Sequence, residues 1–224
     1  GLNDPALTHQ RSQLLILAAA GVLIALLWPW DGAISRAVYD WETRRPRIGG
    51  DVRRELEFVQ QFGAITSVLI ALAVAWLLDP VRRRVFWRGG VVWLVSGALV
   101  NGAKLAVGRP RPVLEDPGLI LGPTGMYPIR HDDGSVHLQH AWQVWMDNSS
   151  QLGSMPSTHA SAAATLAVIL YAWYPKLLPL LAVLVGTVCV ARVVLGAHYS
   201  SDVVAGAAMG LVIGRAGLGW LRAS

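Results

Sequence analysis

Apolar residues along the chain gather into long blocks separated by short charged stretches, and this pattern predicts helices that cross a membrane. Six blocks stand out, at residues 12–28, 62–78, 89–108, 156–174, 177–195 and 199–220. A spanning helix needs about 20 residues, within a range near 17–25, and several of the charge-free cores are shorter. Lys104 stands near the end of the third block and Arg215 interrupts the last; such side chains either snorkel to the interface or serve a polar site. Gly206, Gly210 and Gly214 recur every four residues in the last block, which sets three glycines on one helix face for close packing against another helix. The expected fold is all-α: a polytopic membrane protein with six transmembrane helices, residues 1–224 forming one integral-membrane domain.

Two connectors are long. Residues 29–61 carry six arginines and six acidic residues among apolar ones such as Leu56, Phe58 and Val59, the pattern of amphipathic helices lying at the interface. Residues 109–155 hold prolines, glycines, three histidines, Trp142 and Trp145, and read as a loop that covers something. The tryptophans are expected at the membrane interface. Arg82, Arg83, Arg84 and Arg88 follow the second block directly. By the positive-inside rule that turn is cytoplasmic, together with the termini and Lys176. The six arginines of 29–61 point the other way but are offset by acids. The opposite end of the bundle is therefore expected to face the exterior or periplasm of a bacterial inner membrane.

Composition agrees with a membrane protein. Hydrophobic residues make up 54% of the chain and charged ones 15%, against about 25% charged in soluble domains. Mean hydropathy is +0.45. The net charge of +5 is almost wholly arginine, lysine occurring only at Lys104 and Lys176. The basic residues flank apolar blocks and form no stripe with interleaved aromatics, which argues against nucleic acid; anionic lipid headgroups are the natural counterpart. Cys189 is a lone cysteine in an apolar block, so no intrachain disulfide forms. Gly1 at the start is expected of a processed or engineered N-terminus. The first apolar block ends in Trp28-Pro29-Trp30 without the small-residue pattern of a signal cleavage site.

Polar residues at the ends of membrane helices are costly and therefore informative. Three clusters occur: Lys104 through Arg109, Pro110, Arg111 and Pro112; then Pro156-Ser157-Thr158-His159; then Arg192, His198 and Asp202. If the spans alternate in direction, the end of the third, the start of the fourth and the turn between the fifth and sixth share one membrane face. His198 and Asp202 are four apart and share a helix face, and a carboxylate beside an imidazole fixes its tautomer and stabilises its cation. Ser157 is placed to cap the fourth helix, whose free N–H groups form an anion site, with His159 in its first turn as an acid or base. Lys104, Arg111 and Arg192 add positive charge, and arginine forks suit phosphate oxygens. Arg109 is read as an interface charge, and Pro110 and Pro112 as helix breakers.

These residues resemble the three signatures of the type 2 phosphatidic acid phosphatase superfamily. The first is Lys104, six residues, then Arg111-Pro112. The second is Pro156-Ser157-Thr158-His159, and the third is Ala191-Arg192, five residues, His198, three residues, Asp202. The resemblance covers roughly residues 104–202. It implies a metal-independent lipid phosphatase with no cofactor. In that mechanism His198 attacks phosphorus to form a phosphohistidine, Asp202 orients it, and His159 protonates the leaving oxygen. Lys104, Arg111, Arg192 and the backbone N–H groups at Ser157 and Thr158 bind the phosphate. The substrate is a phosphomonoester or pyrophosphate on a lipid: phosphatidic acid, phosphatidylglycerophosphate, undecaprenyl pyrophosphate and lipid A phosphates all stay open, as does the oligomeric state.

Two positions depart from the family pattern. Thr158 stands where glycine is usual, which raises the question of a positive φ and of added bulk, and Ala191 stands where serine is usual. Other readings compete. A lipid phosphotransferase would pass the phosphoryl group from His198 to another acceptor. A phospholipid-binding or transport protein would need the cations but not the His198–Asp202 pair. The family's soluble vanadate haloperoxidases are set aside by the apolar blocks. His131, His137 and His140 with Asp132 and Asp133 match no strong zinc spacing, so a polar lid or a headgroup contact is expected there instead of a metal site.

Overall fold

The apolar blocks and the first connector fold into eight α-helices among the described residues, 5–222, of the computed structural model; Gly1 lies outside the described residues. They are α1 (Pro5–Leu27), α2 (Asp31–Val38), α3 (Gly50–Val59), α4 (Ile65–Leu78), α5 (Arg83–Val107), α6 (Thr158–Tyr171), α7 (Leu178–Val194) and α8 (Ser200–Arg222). The amphipathic helices expected in the first connector are α2 and α3. The structure is mostly helical and not purely so. Tyr39–Asp40 (β1) pairs antiparallel with Arg45–Pro46 (β2), and Tyr127–Arg130 (β3) with Val136–Gln139 (β4). The β3–β4 turn contains Gly134 at φ +87°, a backbone state that glycine adopts freely.

Among the described residues, four helices are long and apolar enough to cross a membrane, and five if α3 and α4, bent by 60° at their junction, count as one broken span. Six full spans are therefore not seen. The fourth predicted block forms α6, of 14 residues, about 21 Å long against a hydrocarbon layer near 30 Å. Relative to the block at 156–174 it starts two residues late, after the cap at Ser157, and ends three early, at Tyr171. It sits at the centre of the bundle, with Ala160 through Ile169 all buried. Its neighbours α4 and α5 share its core through Val68, Leu72, Val92 and Trp93.

α8 packs on α6 along the expected glycine face. A Cβ at Gly206 would collide with the Ser157 backbone, one at Gly210 with the Ser161 carbonyl, and one at Gly214 with Val168. A buried hydroxyl ladder crosses the same contact: Ser96 Oγ lies 2.9 Å from Thr165 Oγ1, which donates to the Gly210 carbonyl at 3.2 Å. Close approach and interhelical hydrogen bonds are the means by which helices associate where neighbouring lipid is as apolar as leucine.

The two ends of the bundle differ. At one, Arg82 pairs with Asp79 at 2.7 Å and the Tyr174 hydroxyl donates to Asp79 at 3.2 Å, which brings the arginine-rich turn together with the α6–α7 turn. At the other, residues 109–155 fold over the helix ends around Ile129, Ala141 and Leu152, and the β1–Trp41 segment packs on Gly196 in the α7–α8 turn. The three polar clusters lie at this second end.

Candidate active site

Helix α5 delivers the first cluster and is stopped by Gly108. This residue takes φ +60°, and its N–H closes on the Lys104 carbonyl at 2.8 Å, the αL termination that glycine favours. Any Cβ there would press on Ala141 and Leu121. Pro110 keeps α5 from continuing, and Pro112 opens a single 3-10 turn, Pro112–Leu114. α6 begins with Ser157, whose Oγ accepts from the Ala160 N–H at 3.5 Å. The Ser157 N–H itself donates to the Asp202 carbonyl at 3.0 Å, so the amides left at this helix start are those of Thr158 and His159. The α7–α8 turn folds back on Arg192, whose carbonyl accepts from the Ala197 and His198 N–H groups, both at 3.1 Å.

Lys104, Arg111, Thr158, His159, Arg192 and His198 all line one cavity of about 650 Å³. The rest of its lining includes the apolar side chains of Ile65, Trp93, Leu94 and Ala98. A second cavity of about 460 Å³ shares Lys104 and Arg111 and is roofed by Ala141, Val144 and Ser150 of the 109–155 segment. Lys104 Nζ donates to the Gly153 carbonyl at 2.7 Å, and Arg192 Nη1 to Gln60 Oε1 at 2.9 Å. The Nε–H groups of Arg111 and Arg192 are buried and meet no acceptor among the described residues. Buried donors without acceptors are costly, and an anion in the cavity would satisfy them.

Asp202 lies behind the cavity, fully buried. Its Oδ2 accepts from Ser154 Oγ at 2.5 Å and from the Tyr199 N–H at 2.9 Å. His198 Nδ1 stands 3.6 Å from the same oxygen, within ion-pair range and just outside hydrogen-bond range. Burial drives the His198 imidazole down to about 3 from its usual value. Asp202 opposes that shift, and Lys104 and Arg192 reinforce it. The ring is thus neutral at physiological pH, the state a nitrogen nucleophile requires.

Thr158 is the first residue of α6 and is absent from the residues at positive φ. The backbone here makes no demand for glycine, so threonine is accepted without strain and its consequence is bulk in the cavity. Ala191 is buried and does not reach the cavity.

Arg109 is where the structure overturns a reading of the sequence. It is fully buried and not an interface charge. Nη1 reaches Asp202 Oδ1 at 2.6 Å and Ser201 Oγ at 2.7 Å; Nη2 reaches Asp31 Oδ2 at 2.8 Å. The guanidinium also donates to the Pro117 carbonyl and lies against the rings of Trp28 and Tyr199. A signal was available. Alternation of the spans places the chain just after the first span, with Asp31, on the same membrane face as the end of the third, with Arg109.

The histidines of the 109–155 segment serve its own structure. His140 Nδ1–H donates to the Gly125 carbonyl at 2.9 Å and its ring stacks on Trp142, while His131 meets Gln139 and the edge of His137. No group of three His, Cys, Asp or Glu placed to hold a metal occurs among the described residues.

A model of the PAP2 superfamily matches residues 85–224, more than half of the chain. Over 71 residues, 32% of its length, the chain is 44% identical to decaprenylphosphoryl-5-phosphoribose phosphatase of two Mycobacterium tuberculosis strains, CDC 1551 / Oshkosh and H37Rv. The match spans 38% of those relatives. The fold is similar to that of a transmembrane PAP2-type phosphatidylglycerolphosphate phosphatase from Bacillus subtilis, with a TM-score of 0.62 at 19% identity, over 93% of this chain and 94% of that one.

Proposed function

Because the chain belongs to the PAP2 superfamily and the relatives it resembles in sequence and fold are phosphatases, we propose that it hydrolyses a phosphomonoester or pyrophosphate on a lipid through a phosphohistidine on His198. One observation carries this reading: two histidines and three cations from α5, the segment that follows it, α6, α7 and the α7–α8 turn line a single cavity together with the apolar Ile65, Trp93, Leu94 and Ala98. The charged lining suits a phosphoryl group and the apolar lining an acyl or prenyl chain.

In the first half-reaction the neutral Nε2 of His198 attacks phosphorus. The N–P bond forms as the bond to the lipid oxygen breaks, and His159 gives that oxygen its proton. Nδ1–H remains directed at Asp202, which offsets the charge growing on the ring. Lys104, Arg111, Arg192 and the N–H groups of Thr158 and His159 at the helix start hold the equatorial oxygens. Preorganised donors in a site sheltered from water stabilise a charged transition state strongly. Ser157 serves here as the cap that opens the helix. In the second half-reaction water attacks the phosphohistidine, His159 takes its proton, and inorganic phosphate leaves.

The whole chain is read as one domain with six passes, α4 and α6 being the two short ones. It lies in a bacterial inner membrane with the cavity toward the exterior, opposite the arginine-rich turn 82–88. Membrane lipids surround it and no nucleic acid takes part. The test is phosphate release by purified protein in detergent and EDTA, with a His198→Ala control. The panel comprises phosphatidate, phosphatidylglycerophosphate, undecaprenyl pyrophosphate, lipid A and a decaprenylphosphoryl phosphoribose. Release by the wild type alone supports the reading, and the ranking identifies the lipid. Transfer to an added alcohol without free phosphate would make the protein a phosphotransferase, and lipid binding that survives in a wild type without turnover would make it a carrier.

A further inference from the structure

The mechanism above leaves one buried charged cluster unused. Asp31, Arg109 and Ser201 lie outside the cavity lining, yet all three are withdrawn from solvent and joined to Asp202. We infer that Arg109 and Asp31 are positioning residues that fix the Asp202 carboxylate against His198 and restore the negative charge His198 needs.

Geometry gives the first half of the inference. The Arg109 fork spans two carboxylates, 2.6 Å to Asp202 Oδ1 and 2.8 Å to Asp31 Oδ2. Its guanidinium carbon lies 4.0 Å from the centre of the Trp28 ring and 4.5 Å from that of Tyr199, so packing as well as hydrogen bonding holds the fork. Asp31 Oδ1 in turn accepts from the Ser201 N–H at 3.0 Å, which ties it to the residue before Asp202. Arg109 thus engages Oδ1 of Asp202, while Ser154 and the Tyr199 N–H engage Oδ2. With both oxygens held, the carboxylate cannot turn, and Oδ2 stays toward His198 Nδ1. A lysine in place of Arg109 offers a point charge instead of a fork and cannot bridge the two carboxylates in this way.

Charge gives the second half. The groups acting on His198 are Lys104 from α5, Arg192 from α7 and Asp202 from α8, with Arg111 and His159 in the same cavity. Asp202 is the only anion among them, and Arg109 alone would neutralise it. Asp31 makes the set of three net negative, so a counter-charge is left for the imidazole as it takes on the phosphoryl group. A pair serving only to hold the fold would not need the third charge.

The consequence for turnover rests on the phosphohistidine reading; the consequence for the ring does not. The experiment uses the full-length protein in detergent with ¹⁵N-labelled histidine, the His198 signals being assigned with His198→Gln. The variants are Asp31→Asn, Arg109→Lys and the milder Ser201→Ala, which removes one hydroxyl and leaves both ion pairs. The wild type should show the Nδ1–H tautomer at neutral pH. Asp31→Asn and Arg109→Lys should show mixed tautomers and a kcat lower by about tenfold to a hundredfold, the scale of a misplaced catalytic group, with KM within about twofold; Ser201→Ala should move the same readouts less. Folded variants that keep a single Nδ1–H tautomer and wild-type kcat would overturn the inference. If Asp31→Asn and Arg109→Lys both fail to fold, an unchanged tautomer in Ser201→Ala would overturn it. A wild type with the tautomer in place and responsive to these variants, but without turnover on any lipid, would instead defeat the phosphatase reading and leave the positioning role standing.

Discussion

Replacing Gly206 by alanine tests how the helix packing holds the site. A Cβ at this position would lie 3.0 Å from both the carbonyl carbon and the nitrogen of Ser157, and closer still to the carbonyl oxygen. Carbon atoms in good contact sit about 3.5–4.0 Å apart. The two backbones must therefore separate by roughly 0.5–1 Å, and backbone has no side-chain rotation by which to yield. Overpacking of this kind destabilises by about 1–3 kcal/mol. The effect on the reaction is larger, because the contact carries both halves of the site. Ser157 opens the helix that presents Thr158 and His159, and its N–H is bonded to the carbonyl of Asp202. A displacement near 1 Å at reacting groups lowers a rate about a hundredfold. Gly206→Ala is therefore expected to lower both the thermal midpoint in detergent and kcat, with kcat reduced by about two orders of magnitude. Gly186→Ala is the control. It lies in α7 with nothing within 4 Å of its would-be Cβ, and should leave kcat unchanged. Wild-type kcat in Gly206→Ala would refute the claim that the α6–α8 contact sets the geometry of the site.

Three further outcomes are expected. Burial lowers the pKa of His198 to about 3, and the proposed nucleophile is the neutral ring. The acidic limb of the kcat/KM profile should thus lie well below pH 6.5; at pH 5 an unshifted histidine would be only roughly 3% neutral, so loss of most activity between pH 7 and 5 would contradict the assignment. Thr158→Gly should keep the fold and widen the cavity, raising kcat/KM for lipids with bulkier headgroups relative to phosphatidate; an unchanged ranking across the lipid panel would show that Thr158 does not shape selectivity. A cysteine introduced at Ser135, in the β3–β4 turn, should react with a membrane-impermeant thiol reagent in intact spheroplasts, whereas labelling seen only after lysis would place the cavity on the cytoplasmic side.

Much of the site was legible in the sequence because its chemistry is concentrated at helix ends. Lys104, Arg111, His159, Arg192 and His198 stand at block boundaries, where a charge in an apolar chain has few reasons to be, and simple alternation brings them together. The packing role of Gly206, Gly210 and Gly214 was legible for the same reason of periodicity. Span number was not. The apolar block 156–174 marks α6 as buried and Ser157 marks its start, but protein and lipid are equally apolar, and nothing in the block shows that the helix stops at Tyr171 after 14 residues. Arg109 was misread because an arginine at a span end is commonly an interface anchor. Its partners Asp31 and Asp202 lie 78 and 93 residues away, and no local pattern links them. The β3–β4 hairpin was hidden by a polar, histidine-rich stretch that resembles an irregular loop.

The central claim is covalent: the phosphoryl group passes through His198. A rapid-quench experiment with a lipid carrying a radiolabelled phosphate tests it most directly. The account predicts label on the wild-type protein within the first turnover, stable to alkali and labile to acid as an N–P bond requires, and none on His198→Ala. Phosphate release by the wild type with no label trapped on the protein at any time, or label that persists in His198→Ala, would contradict it.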